Sequence, residues 1–198
     1  MAEVVLFHHA LGLTPGVLAF ADDLRAAGHV VHTPDLFAGK TFDDLADGLE
    51  HAEEVGFDIL LDRCREAVAD LTHAVVHAGM SLGVLPAQML AQTMDGARGA
   101  VLLHGCIPPE EFETPWPQGL RVQVHTMTDD DLGDVDVARG LAATVPTAEV
   151  FEYPGDAHLF TDRGAADHDP AAAALVLERV LALLDEIDAS VSPSDGNR

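Results

Sequence analysis

Outside its last nine residues the chain has a single serine, Ser81, and it stands in "AGMSLG" between Gly79 and Gly83. Gly-x-Ser-x-Gly is the pattern of a nucleophile elbow, where a strand turns sharply into a helix and lifts the hydroxyl clear of the backbone. For this glycine and serine content, chance would produce the pattern roughly 0.03 times. A serine hydroxyl is a weak nucleophile at neutral pH and needs a base beside it. His158, in "YPGDAHLF", is the candidate base. The base in turn needs a carboxylate to hold its tautomer and to stabilise the imidazolium. "HTMTDDDLGD" offers Asp129, Asp130 and Asp131 for that role. The order along the chain is then Ser, Asp, His, the order that accompanies such an elbow. The oxyanion formed on attack at a carbonyl needs two N–H donors. The backbone amides of Leu82, just after the serine, and of Ala10, in "HHALGLTPG", are the candidates.

Such residues act only if a scaffold brings them to one edge. Six valine-rich apolar runs can supply it: 4–10, 29–36, 74–80, 99–105, 121–126 and 148–154. Near-continuous apolar runs of this kind suit strands buried on both faces of a parallel sheet. Helical patterns fall between most of them. Thr14-Pro15 opens a helix that Gly28 closes, and Asp169-Pro170 opens the last one, "AAAALVLERVLALL". Further helices are expected over about 57–71, 81–93 and 134–145. Alternating strands and helices argue for a doubly wound α/β fold. Residues 37–56 are polar and are expected to fold back over a rim as a short helix, while the four prolines of 106–119 make a loop. The organisation read from this is a single domain over 1–189 with a disordered tail over 190–198.

Composition narrows the partners. Lysine and arginine number 10 against 34 acidic residues, a formal charge of −24. That balance repels nucleic acid and anionic membranes. No apolar run reaches the ~18 residues of a membrane span, and no basic stretch precedes "VVLF" at the Met1 end, so the expected location is cytoplasmic. The two cysteines, Cys64 and Cys106, form no disulfide framework. Cys106 lacks an elbow and reads as a packed thiol. His8, His77, His104 and His125 lie in or at the ends of expected strands, but their spacing shows no converging metal-ligand set. They read as core or rim histidines with satisfied ring nitrogens. No metal site is expected from them.

Over about residues 3–187 the chain resembles the dienelactone hydrolase family of the α/β-hydrolase superfamily. The resemblance rests on "LFHHALGLTPG", "HTPDLFAGKTFDD", "AGMSLG", "HTMTDDD" and "YPGDAHLF". It implies a compact three-layer α/β-hydrolase fold with a mostly parallel sheet of about six strands, flanked by helices and without a cap domain. It also implies hydrolysis of a small ester or lactone through an acyl-enzyme, without metal or cofactor; the expected state is a monomer or small homo-oligomer. Matching the motif after the fifth strand favours Asp130 as the acid. The family's namesake enzymes use a cysteine where Ser81 stands, and a glutamate about where His9 stands. Their arginines hold a substrate carboxylate; near comparable loops this chain has Arg163 and Lys40. His9, Phe37, Trp116 and Arg163 are therefore the candidate substrate contacts. Two other readings compete. In one, the chain is a non-catalytic α/β-hydrolase-like binding or assembly protein, against which the complete Ser, Asp, His set argues. In the other, "DDD" is the Mg²⁺ pocket of a flavodoxin-like receiver, but such acids should gather at the first strand's end, where "HHALG" stands.

Overall fold

The computed structural model describes residues 1–71 and 74–190. Six parallel strands form one sheet: β1 (Glu3–Phe7), β2 (Val30–His32), β3 (Val75–Met80), β4 (Gly99–Leu103), β5 (Arg121–Met127) and β6 (Ala148–Tyr153), in the order β2-β1-β3-β4-β5-β6. β1 lies beside β3 with Phe7 opposite Gly79, so both chains leave the sheet at neighbouring points. Here the strand order reverses direction, the place where open α/β sheets bind their ligands.

Alternate residues of each strand feed two cores. Val4, Leu6, Val76, Ala78, Met80, Val101 and Leu103 pack with α1 (Pro15–Ala26) and α6 (Pro170–Ala189). Val5, Phe7, Val75, Ala100, Leu102, Val122 and Val124 face the other way. They pack with α2 (Leu45–Val55), α3 (Phe57–Val68), α4 (Val84–Thr93) and α5 (Val135–Thr144). Burial on both sides explains why the strands read as apolar runs rather than as alternations. The result is three layers with no separate cap domain among the described residues.

Local signals set the helix ends. The Thr14 hydroxyl accepts from the Val17 amide and Pro15 occupies the first turn of α1; Asp169 and Pro170 do the same for α6. Short 3₁₀ turns cover Ser81–Gly83 and Pro109–Phe112, so the 106–119 segment is a loop with one tight turn. The tail expected over 190–198 begins with Ser190, which caps α6; from 191 onward it lies outside the described residues.

Candidate active site

Ser81 begins the turn between β3 and α4 with φ +49°, a left-handed conformation that a side chain other than glycine's adopts at a cost. Both flanking glycines are required by close approach. A Cβ on Gly79 would fall on the Gly83 carbonyl oxygen, and one on Gly83 would fall on the Phe7 carbonyl oxygen at the end of β1. The elbow is thus pressed against the loop that follows β1.

The side chains above it form one line. Ser81 Oγ lies 2.7 Å from His158 Nε2. On the far side of the ring, His158 Nδ1–H donates to Asp130 Oδ2 at 2.7 Å. With the Nδ1 proton facing the carboxylate, Nε2 is left to accept from the serine. His158 and Asp130 are 6% and 7% exposed, which shields their contact from water. The other Asp130 oxygen accepts from the Leu132 amide at 2.9 Å, and the His158 amide donates to Asp167 at 3.3 Å. Asp129 and Asp131 are exposed, and of the three adjacent acids it is Asp130 that meets His158.

Leu82 follows Ser81 within the 3₁₀ turn, and Ala10 is fully buried in the loop after β1. That loop is pinned from above. Phe42 N–H donates to Leu11 O at 3.0 Å, and Gly48 of α2 lies so close to Ala10 O that a Cβ there would overlap it. The polar 37–56 segment therefore buttresses the loop that carries Ala10.

The four residues expected to touch substrate are placed otherwise. His9 is fully buried and its Nε2 faces Asp162 at 2.6 Å. Phe37, 1% exposed, packs edge-on against His8, Phe42 and His51 as a loop anchor. Arg163 pairs with Asp23 of α1. Trp116 Nε1–H donates to Leu120 O just before β5, at the amino ends of the strands. There it borders a groove of about 830 Å³ with Pro117 and Pro146, at the opposite end of the strands from Ser81.

The remaining histidines divide. Burial lowers His8 to about 4, and its ring is satisfied by His9 O and the Leu36 amide. Burial lowers His125 to about 3; its partners are Tyr153 and Gln123. His104, held at φ +74° after β4, bonds Thr161 through Nε2, while its Nδ1 has no partner among the described residues. His77 corrects the expectation of satisfied rings: neither of its nitrogens has a hydrogen-bond partner among the described residues. Burial raises the Cys106 thiol to about 12, far from the range of a reactive thiolate. Among the described residues no group of three or more histidine, cysteine or acidic side chains could hold a metal ion.

Sequence reasoning missed Asp162, which accepts from His9, from the Thr14 hydroxyl at 2.7 Å and from the Gly164 amide at 2.6 Å. Its one signal was its place four residues after His158. Burial would raise its carboxyl, but these hydrogen bonds outweigh it and hold the group at about 2.

The chain matches the dienelactone hydrolase family over residues 1–188. No curated protein matches it in sequence. Solved structures share its fold. A dienelactone hydrolase-like promiscuous phosphotriesterase from metagenomic libraries is 20% identical, with a TM-score of 0.76 over 94% of this chain and 87% of its own. The dienelactone hydrolase of Anabaena variabilis is 19% identical, with a TM-score of 0.70 over 93% and 86%. Esterase 2 of Thermogutta terrifontis, solved phosphoramylated by tabun, is 17% identical, with a TM-score of 0.62 over 98% and 85%. At these identities the likeness is one of fold.

Proposed function

Because this chain belongs to the dienelactone hydrolase family, and is thus an α/β-type hydrolase acting on ester bonds, we propose that Ser81, His158 and Asp130 are its catalytic triad and that it cleaves small esters or lactones through an acyl-enzyme. The observation that carries this reading is the unbroken line Ser81 Oγ, His158, Asp130, with both contacts at 2.7 Å and the serine on a strained elbow.

Each group then has a task. The Ser81 oxygen attacks the acyl carbon while its proton passes to His158 Nε2. Asp130 stabilises the resulting imidazolium and keeps the ring aligned. The amides of Leu82 and Ala10 donate to the oxyanion of the tetrahedral intermediate. Collapse expels the alcohol, which takes the proton from His158. A water then attacks the acyl-enzyme, giving its proton to Nε2, and the second collapse frees the acid and restores Ser81. In a lactone the leaving alcohol stays tethered, and ring opening is the product of the same cycle.

The test is reaction with a fluorophosphonate probe followed by peptide mapping. Labelling at Ser81, lost in Ser81→Ala together with at least ~10³-fold of p-nitrophenyl acetate turnover, supports the reading. Absence of labelling, or turnover retained by Ser81→Ala, refutes it.

A further inference from the structure

Two buried groups that this mechanism leaves idle, His9 and Asp162, join the two loops it depends on. His9 directly precedes Ala10, and Asp162 follows His158 by four residues. Their side chains are 0% and 1% exposed, with Nε2 and Oδ2 at 2.6 Å. The Leu11 amide donates to His9 Nδ1 at 3.3 Å, so the proton on Nε2 faces Asp162. Asp162 in turn reaches back to the same segment, accepting from Thr14 at the first turn of α1. A Cβ on Gly16 would overlap its Oδ1, so glycine makes room for a carboxylate where the helix's free amides favour an anion. Beside this link, His104 bonds Thr161, and its ring lies 5.8 Å from that of His158.

Stability alone does not call for such a pair, since well-packed apolar residues often replace buried polar or ionic pairs at no loss or with a gain. What the pair does supply is a fixed distance and direction between the loops. We propose that His9 and Asp162 are positioning residues that set the Ala10 amide against the Ser81–His158 pair, so that the oxyanion and the transferring proton are met together. This rests on the triad reading above. Displacements of about 1 Å at reacting groups cost on the order of 10²-fold in rate, so the pair's removal should show in turnover rather than in affinity.

The test compares His9→Leu, His9→Gln and the near-isosteric Asp162→Asn by kcat and KM on p-nitrophenyl acetate, by the rate of fluorophosphonate labelling, by pH–rate profile and by thermal unfolding. His9→Leu and Asp162→Asn should lose about tenfold or more in kcat and in labelling rate, with KM within about threefold. Their pH–rate profile should keep the wild-type shape, because the contact between His158 and Asp130 is untouched. His9→Gln, whose side-chain amide can still donate towards Asp162, should recover most of the loss. If His9→Leu does not fold, Asp162→Asn and His9→Gln carry the comparison. Variants that melt earlier but keep wild-type kcat, or a His9→Gln as impaired as His9→Leu, would overturn the proposal. Wild-type protein that fails to label at Ser81 would instead overturn the triad reading beneath it.

Discussion

Asp130 Oδ2 and His158 Nδ1 meet at 2.7 Å, while the acids on either side of Asp130 point into solvent. One carboxylate of three can therefore fix the imidazole tautomer. Asp130→Asn should lower kcat by about 10³- to 10⁴-fold, the scale expected when the ring is held in the wrong tautomer. Asp129→Asn and Asp131→Asn should stay within about twofold of wild type. Initial rates on p-nitrophenyl acetate decide it; a damaging Asp129→Asn beside a harmless Asp130→Asn would contradict the geometry.

The elbow glycines make a second prediction. Each added methyl at Gly79 or Gly83 meets backbone, which cannot rotate aside. Gly79→Ala and Gly83→Ala should each destabilise the fold by more than about 2 kcal/mol and abolish turnover. Gly140, on the outer face of α5, has open space and no left-handed backbone. Gly140→Ala should stabilise by about 0.5–1 kcal/mol, since alanine restricts the unfolded chain and suits a helix. Urea unfolding of the three variants measures both signs.

Much of this architecture was written in the sequence, for a physical reason. Strands buried on both faces must be apolar throughout, so the six runs stood out. The apolar runs outlast the strands: β1 stops at Phe7 although its run reaches residue 10, and β2 stops at His32 although its run reaches residue 36. The apolar signal reports burial, and His8, His9, Ala10 and Leu36 stay buried after the ladder has ended. The candidates for a triad were legible because an elbow, an acid run after β5 and a histidine after β6 follow from chain order alone. The bond between His9 and Asp162 was not, because no periodicity relates residues 153 apart. Nor could residue type show that Trp116 lies at the amino ends of the strands, since a loop between parallel strands must cross from one edge of the sheet to the other.

Buried histidines should make the fold acid-sensitive. Burial lowers His8 and His77 to about 4 and His125 to about 3, and lowers His104 well below the ordinary value. In the unfolded chain each titrates near ~6.5. Between those values the unfolded state holds more protons, so stability is full above pH ~6.5 and falls as pH drops through the window. Each such histidine costs roughly 1.4 kcal/mol on going to pH 5.5. His77→Leu removes one titrating group and two buried polar atoms that have no partner among the described residues. It should match or exceed wild-type stability at pH 7.5 and lose roughly 1.4 kcal/mol less at pH 5.5. Urea titrations at the two pH values test this; an identical pH dependence in both proteins would remove His77 from the account.

What borders the proposed triad makes a last prediction, about substrate size and charge. No cap covers the carboxyl edge of the sheet among the described residues, and α2 closes over the loop after β1 rather than forming a lid. A groove of about 490 Å³ runs beside the site between that loop, residues 41–45 and the loop carrying His158. Leu11, Pro15, Phe42 and Leu159 give it apolar surface, while Asp43, Asp44 and Asp167 line it with no lysine or arginine among them. Arg163, expected as a candidate substrate contact, is engaged by Asp23 instead. Such a groove suits a short, neutral acyl or alcohol group and repels an anionic one. Across p-nitrophenyl esters from acetate to palmitate, kcat/KM should fall once the acyl chain passes about four to six carbons. A hemisuccinate ester should be cut about tenfold more slowly than a butyrate ester, and added salt should narrow that gap by screening the acids. A maximum at eight or more carbons, or an anionic ester cleaved as well as its neutral counterpart at low salt, would show that substrate does not lie along this groove.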